Sequence, residues 1–125
     1  MRRLRLLTGA RVLTPDGWQE ADVLLDGGSI ADVGANLQAP DAERQDLSGL
    51  TLTPGFIDLH VHGGGGFEVA TLDAEEIRQY ARWVVQRGVT GFLATVVAGT
   101  IERALDYVRA VAGSAGPVEG GASVL

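Results

Sequence analysis

No cysteine and no lysine occur among the 125 residues, and histidine occurs only twice. The lack of cysteine excludes disulfide staples and thiolate metal sites, so any metal has to be held by histidine and carboxylate. Sixteen acidic residues stand against ten basic ones, all arginine, for a net charge of −6. Those arginines form no cluster, so the electrostatic footprint that nucleic acid or an anionic membrane needs is missing, and neither is expected as a partner. Long apolar runs are missing too. The start, Met1-Arg2-Arg3-Leu4-Arg5-Leu6-Leu7, is basic and then briefly apolar. Thr8, Gly9 and Arg11 end it far short of a signal peptide core or a membrane span, and a cytoplasmic protein is expected. What is present, 46% apolar and 21% charged residues, is the composition of a chain that folds.

Two grammars follow one another along the sequence. Up to Val33 the pattern is short and β-like, with Leu4, Leu6 and Val12 punctuated by Gly9 and a turn at Pro15-Asp16-Gly17. Ala21–Leu25 and Ser29–Val33 read as a hairpin joined through Asp26-Gly27-Gly28. Residues 34–48 are polar and read as a connection, and Leu50-Thr51-Leu52 resumes a strand. Residues 1–52 are thus expected to form a small β layer, and residues 53–125 strands alternating with amphipathic helices, the signature of βαβ units and a parallel sheet. Asp73 with Glu76 announces a helix that places Ile77, Tyr80, Ala81, Val84 and Val85 on one face and closes at Gly88. Val89–Val97 reads as a strand covered on both faces. Thr100 starts a second helix with Ile101, Ala104, Leu105, Val108, Val111 and Ala112 on its apolar face, and Ala122–Leu125 opens a third strand. Trp18, Trp83, Tyr80 and Phe92 are expected in core packing. An α/β chain with an unfinished parallel sheet is the expectation.

The chemistry concentrates in Pro54-Gly55-Phe56-Ile57-Asp58-Leu59-His60-Val61-His62. Regular alternation puts Asp58, His60 and His62 on one face of a strand and Ile57, Leu59 and Val61 on the other. The two histidines then lie roughly 6.6 Å apart along the strand, close enough for both imidazoles to reach one ion. A divalent metal held there lowers the pKa of water toward about 7, the chemistry of hydrolysis. Two histidines alone read equally well as hydrogen-bonded strand residues. The Pro-Gly entry, the apolar strand and the following Gly63-Gly64-Gly65-Gly66 favour the metal reading, with His60 and His62 as ligands. A catalytic zinc takes about three protein ligands, so the set is incomplete. Asp58 is read as a structural hydrogen-bonding group, Glu68 as a solvated loop residue, and the glycine run as a loop allowing close backbone approach, with an anion cradle as the alternative.

Leu52–Gly66, together with Gly88-Val89-Thr90-Gly91-Phe92-Leu93-Ala94-Thr95, resembles the first-strand signature of the amidohydrolase superfamily and, within it, the N-acetylglucosamine-6-phosphate deacetylases. The resemblance implies a (β/α)₈ TIM barrel preceded by strands of a small β-sandwich, of which this chain would be the amino-terminal part: residues 1–52 in the sandwich and 53–125 in the first βα units. It further implies a divalent metal, zinc with iron as the alternative, and a homodimer when full length. The implied reaction is deacetylation of an amino-sugar phosphate, N-acetylglucosamine 6-phosphate. The general-base Asp, a metal-ligating Glu and two further histidines would all lie beyond residue 125, so this chain by itself would be inactive. Another amidohydrolase, such as an isoaspartyl dipeptidase or a dihydroorotase-like cyclic amidase, shares the Pro-Gly-Phe-Ile-Asp-x-His-x-His motif, and a reading from a different class is a non-catalytic truncated product acting only in association.

Overall fold

The amino-terminal strands are built on alternation. The structure, a computed structural model, describes residues 3–125. Met1 and Arg2, and with them part of the basic start read above, lie outside the described residues. β1 (Leu4–Thr14) pairs antiparallel with β2 (Gly17–Asp26), which turns at Gly27-Gly28 into β3 (Ser29–Gly34). Two short strands, β4 (Glu43–Asp46) and β5 (Thr51–Leu52), run parallel to β1, giving the order β3-β2-β1-β4 with β5 also on β1. β4 falls inside the stretch expected as a connection. Its four residues are polar and all exposed, so burial left no periodic trace in the sequence.

Leu7, Ala10, Val12, Ala21 and Val23 form the core of this sheet. Leu7 and Ala10 are three residues apart, which regular alternation would put on opposite faces. They share a face because the β1–β2 register slips between them, at Gly9, whose φ of 74° few side chains tolerate. The Gly9 N–H is taken by the Asp22 carboxylate at 3.3 Å. Trp18, expected in the core, is 47% exposed and is covered by the Arg11 guanidinium, 5.0 Å from the ring centre.

One unit ends at Pro54 and a second spans Gly55–Leu125. In the second, β6 (Phe56–Val61) is followed by a two-stranded hairpin, β7 (Gly63–Gly64) with β8 (Phe67–Glu68). Then come helix α1 (Ala74–Val84), β9 (Val89–Ala94), helix α2 (Ile101–Ala112) and β10 (Ser123–Val124). The three longer-range strands pair in parallel in the order β10-β9-β6, so the chain is α/β. Asp73 caps α1 by accepting from the Glu75 N–H at 2.8 Å. Glu76 does not close a reciprocal box; its carboxylate accepts the Glu68 N–H at 3.0 Å and ties the hairpin to the helix start. A single 3₁₀ turn, Val85–Arg87, ends at the left-handed Gly88.

Ile77, Tyr80, Ala81 and Val84 of α1 bury against Val61, Phe92 and Val124 of the sheet, with the Tyr80 and Phe92 rings edge to face at 4.9 Å. A single buried aliphatic or aromatic side chain of this kind contributes roughly 1.5–3 kcal/mol, so α1 is held chiefly by this face. The opposite face of the sheet differs from expectation: Ile57, Leu59 and Leu93 are 59%, 69% and 41% exposed, so the strands are covered on one side only. α2 is capped by Thr100, which accepts the Arg103 N–H at 3.2 Å. Of its expected apolar face only Val111 packs on the core, while Ile101, Leu105 and Val108 stay exposed. Among the described residues no helix is long and apolar enough to cross a membrane.

Candidate metal centre

The end of β6 departs from a regular strand, and the departure aims its histidines. Asp58 pairs with Phe92 and Val61 with Ala94, so three steps on β6 match two on β9, with the slip lying between Asp58 and Val61. Such a bulge breaks the two-residue alternation. Asp58, partly buried, and Val61, buried, therefore both lie on the α1 side of the sheet, while Leu59, His60 and His62 are exposed. The expectation that Asp58 shares a face with the histidines fails for this reason. Its carboxylate instead accepts the His60 N–H at 3.1 Å, satisfying an amide left over at the bulge. Tyr80 records the same placement. Burial first, and then the nearby Asp58 charge, push its hydroxyl above the ordinary tyrosine range.

Past the bulge the two imidazoles converge. His60 Nε2 and His62 Nε2 lie 3.2 Å apart, with the rings nearly perpendicular at 85° and their centroids 5.0 Å apart. Two nitrogens each about 2.05 Å from a tetrahedral zinc would sit about 3.3 Å apart, so the pair already has the spacing of two corners of such a site. The other ring nitrogen of His62, Nδ1, lies 2.9 Å from the Thr95 carbonyl oxygen. A carbonyl only accepts, so Nδ1 carries the proton and Nε2 presents a lone pair. The donor set thus fits two positions of a divalent metal. Among the described residues no group of three or more His, Asp or Glu side chains gathers around one point, so the pair stands without a third ligand from this chain.

Thr95 is the residue that reading the sequence missed. Its N–H donates to the Val61 carbonyl at 2.8 Å, its hydroxyl accepts the Val61 N–H at 3.2 Å, and its carbonyl takes His62. β9 ends at Ala94, just before Thr95, and not at Val97 as expected. The available signal was its position, one residue past a parallel strand whose neighbour ends in His-x-His.

The glycine run is a site of close backbone approach, as expected. Gly63-Gly64 and Phe67-Glu68 pair as a tight hairpin laid against Trp83. A Cβ on Gly64 would meet the Trp83 ring at 2.9 Å, and one on Gly65, at φ 63°, would fall inside it. The Arg87 guanidinium covers the Trp83 ring at 3.9 Å from its centre. Glu68 is exposed, and its contribution is the backbone N–H given to Glu76. The hairpin is joined to the site through the His62 carbonyl, which accepts the Val69 N–H at 3.1 Å.

No protein-family model matches the chain. Among curated proteins it is similar to the N-acetylglucosamine-6-phosphate deacetylase of Lysinibacillus sphaericus, 30% identical over 79 residues, which are 63% of this chain and 20% of that protein. It is also similar to the dihydroorotase of Syntrophotalea carbinolica, 48% identical over 59 residues, 46% of this chain and 14% of that protein. Among solved structures it superposes on the N-acetyl-D-glucosamine-6-phosphate deacetylase from Mycobacterium smegmatis with a TM-score of 0.72 and 31% identity, covering 87% of this chain and 31% of that one. The chain therefore spans a fifth or less of the length of these two curated relatives. In sequence and in fold it is similar to the amino-terminal part of the N-acetylglucosamine-6-phosphate deacetylases and, with them, of the amidohydrolases.

Proposed function

We propose that these residues supply the first two metal ligands of an amide hydrolase, and that the reaction is deacetylation of N-acetylglucosamine 6-phosphate to glucosamine 6-phosphate and acetate. The observation that carries the hydrolase reading is the 3.2 Å approach of His60 Nε2 and His62 Nε2 at the carboxyl end of β6, where α/β folds place their chemistry. A divalent ion held there, zinc by the nitrogen donors and spacing, polarises a carbonyl oxygen and lowers the pKa of water toward about 7. His60 and His62 hold and orient it; the Thr95 carbonyl fixes the His62 ring, and the Asp58 carboxylate fixes the His60 backbone. The uncovered face of β6 and β9, with Ile57, Leu59 and Leu93, supports a sheet continued by further strands into a barrel, with the general-base Asp and the remaining ligands on them. The active species is then a cytoplasmic protein of relatives' length, as a homodimer, and the 125 residues alone do not turn over substrate.

The deacetylase rather than another amide substrate is supported by the Mycobacterium smegmatis enzyme, whose fold matches along 87% of the chain at 31% identity. A second reading, hydrolysis of a cyclic amide, is favoured by the similarity to a dihydroorotase, 48% identical over 59 residues. Both are tested by expressing the longest reading frame that contains these residues and supplying zinc. Acetate release from N-acetylglucosamine 6-phosphate without opening of dihydroorotate supports the first. The reverse pattern replaces it with the second, and turnover of neither, with zinc bound, refutes both.

A further inference from the structure

The two histidines are not equivalent, and the difference lies in Thr95. The His62 ring is locked: Nδ1–H donates to the Thr95 carbonyl at 2.9 Å, which leaves Nε2 as a lone pair. His60 Nε2, 3.2 Å from that lone pair, must then be the N–H donor whenever both rings are neutral. The carbonyl that imposes this order is itself held in place by two further bonds from the same residue across to Val61, one from its N–H and one to its hydroxyl. They continue the pairing of Val61 with Ala94, just past the β6 bulge.

We propose that Thr95 is a positioning residue that presets His62 as the first ligand, and that His60 joins by moving its proton from Nε2 to Nδ1. Resting on the metal reading above, the inference adds an order of events. With a metal held by both Nε2 atoms the His60–His62 hydrogen bond would be given up: His60 would release its Nε2 proton to water and take one from water at Nδ1, and His62 would keep its tautomer. The hydroxyl of Thr95 matters because it alone accepts the Val61 N–H; without it that amide is unpaired and the carbonyl is free to drift from the His62 ring.

The test is nitrogen NMR of the histidines in the 125-residue chain at mildly alkaline pH, followed by zinc titration. The expected result is His62 protonated at Nδ1 before and after zinc, and His60 protonated at Nε2 before and Nδ1 after. Thr95→Val should let His62 sample both tautomers and weaken zinc binding about tenfold or more, and Thr95→Ser should restore both. A His62 protonated at Nε2 in the unaltered chain overturns the proposal, as does a folded Thr95→Val with unchanged tautomer and affinity. If Thr95→Val does not fold, the tautomer of the unaltered chain decides alone. Failure of the unaltered chain to take up zinc overturns the metal reading itself, a result distinct from intact zinc binding that ignores Thr95.

Discussion

Strand β1 slips register once against β2, and β6 slips twice against β9, at Phe56/Ile57 and again between Asp58 and Val61; at the β1 slip and at the second β6 slip an aspartate carboxylate takes an amide, Asp22 for Gly9 and Asp58 for His60. The outcomes differ. In β1 the slip keeps Leu7 and Ala10 together in the core. In β6 it keeps Asp58 and Val61 on the α1 side and sends two consecutive residues, Leu59 and His60, outward. One bulge serves packing and is absorbed by glycine; the other turns a polar pair away from the core and is absorbed by an acidic side chain and by Thr95. The same backbone device therefore accompanies a core in one unit and an exposed imidazole pair in the other.

The comparison can be broken at several points. Phe92, fully buried and paired with Asp58 beneath the β6 bulge, should be the most costly to remove: Phe92→Ala is expected to lose about 3–5 kcal/mol in urea unfolding. A loss below about 1 kcal/mol would mean that the bulge does not rest on this core. Gly9→Ala in β1 combines a φ of 74° with a Cβ driven into Ser48 Oγ, and should cost about 1–3 kcal/mol. An unchanged midpoint would show that β1 tolerates its bulge without glycine. Asp58→Asn keeps an oxygen that can accept the His60 N–H and should cost less than about 1 kcal/mol, whereas Asp58→Ala should cost about 1–3 kcal/mol by stranding that amide. Equal losses for the two variants would mean that the charge, not the hydrogen bond, supports the bulge.

The smallest effect lies on the exposed side of α1, away from both bulges. Arg78 and Arg82 each bond the Glu75 carboxylate at 2.8 Å and hold its pKa below the ordinary value of 4.5. A lowered folded-state pKa contributes stability that is present above the unfolded value and is lost as pH falls through the folded one. Glu75→Gln should therefore lower stability slightly at neutral pH and make the acid limb of the stability profile shallower. A steeper acid limb in the variant would reverse the sign and refute the assignment.

Much of this architecture was legible because its causes are local. Gly27-Gly28, Asp73, Gly88 and Thr100 mark turns and caps whose chemistry is contained within a few residues, and α1 carried its buried face in its periodicity. β4 was missed because pairing with β1 does not bury its side chains. The end of β9 and the face of Asp58 were misread because both depend on how β6 and β9 pair, Asp58 with Phe92 and Val61 with Ala94 and Thr95, which no window along the chain contains. His60 and His62 stood out as chemistry-bearing residues, but the alternation used to aim them would have kept Asp58 beside them. The bulge took Asp58 off that face, and the two Nε2 atoms lie 3.2 Å apart on it.

Zinc titration by calorimetry of the unaltered chain, His60→Ala and His62→Ala tests the central claim most directly. The account predicts binding by the unaltered chain and a loss of about tenfold or more in each variant with the fold retained; equal affinity in all three would contradict it.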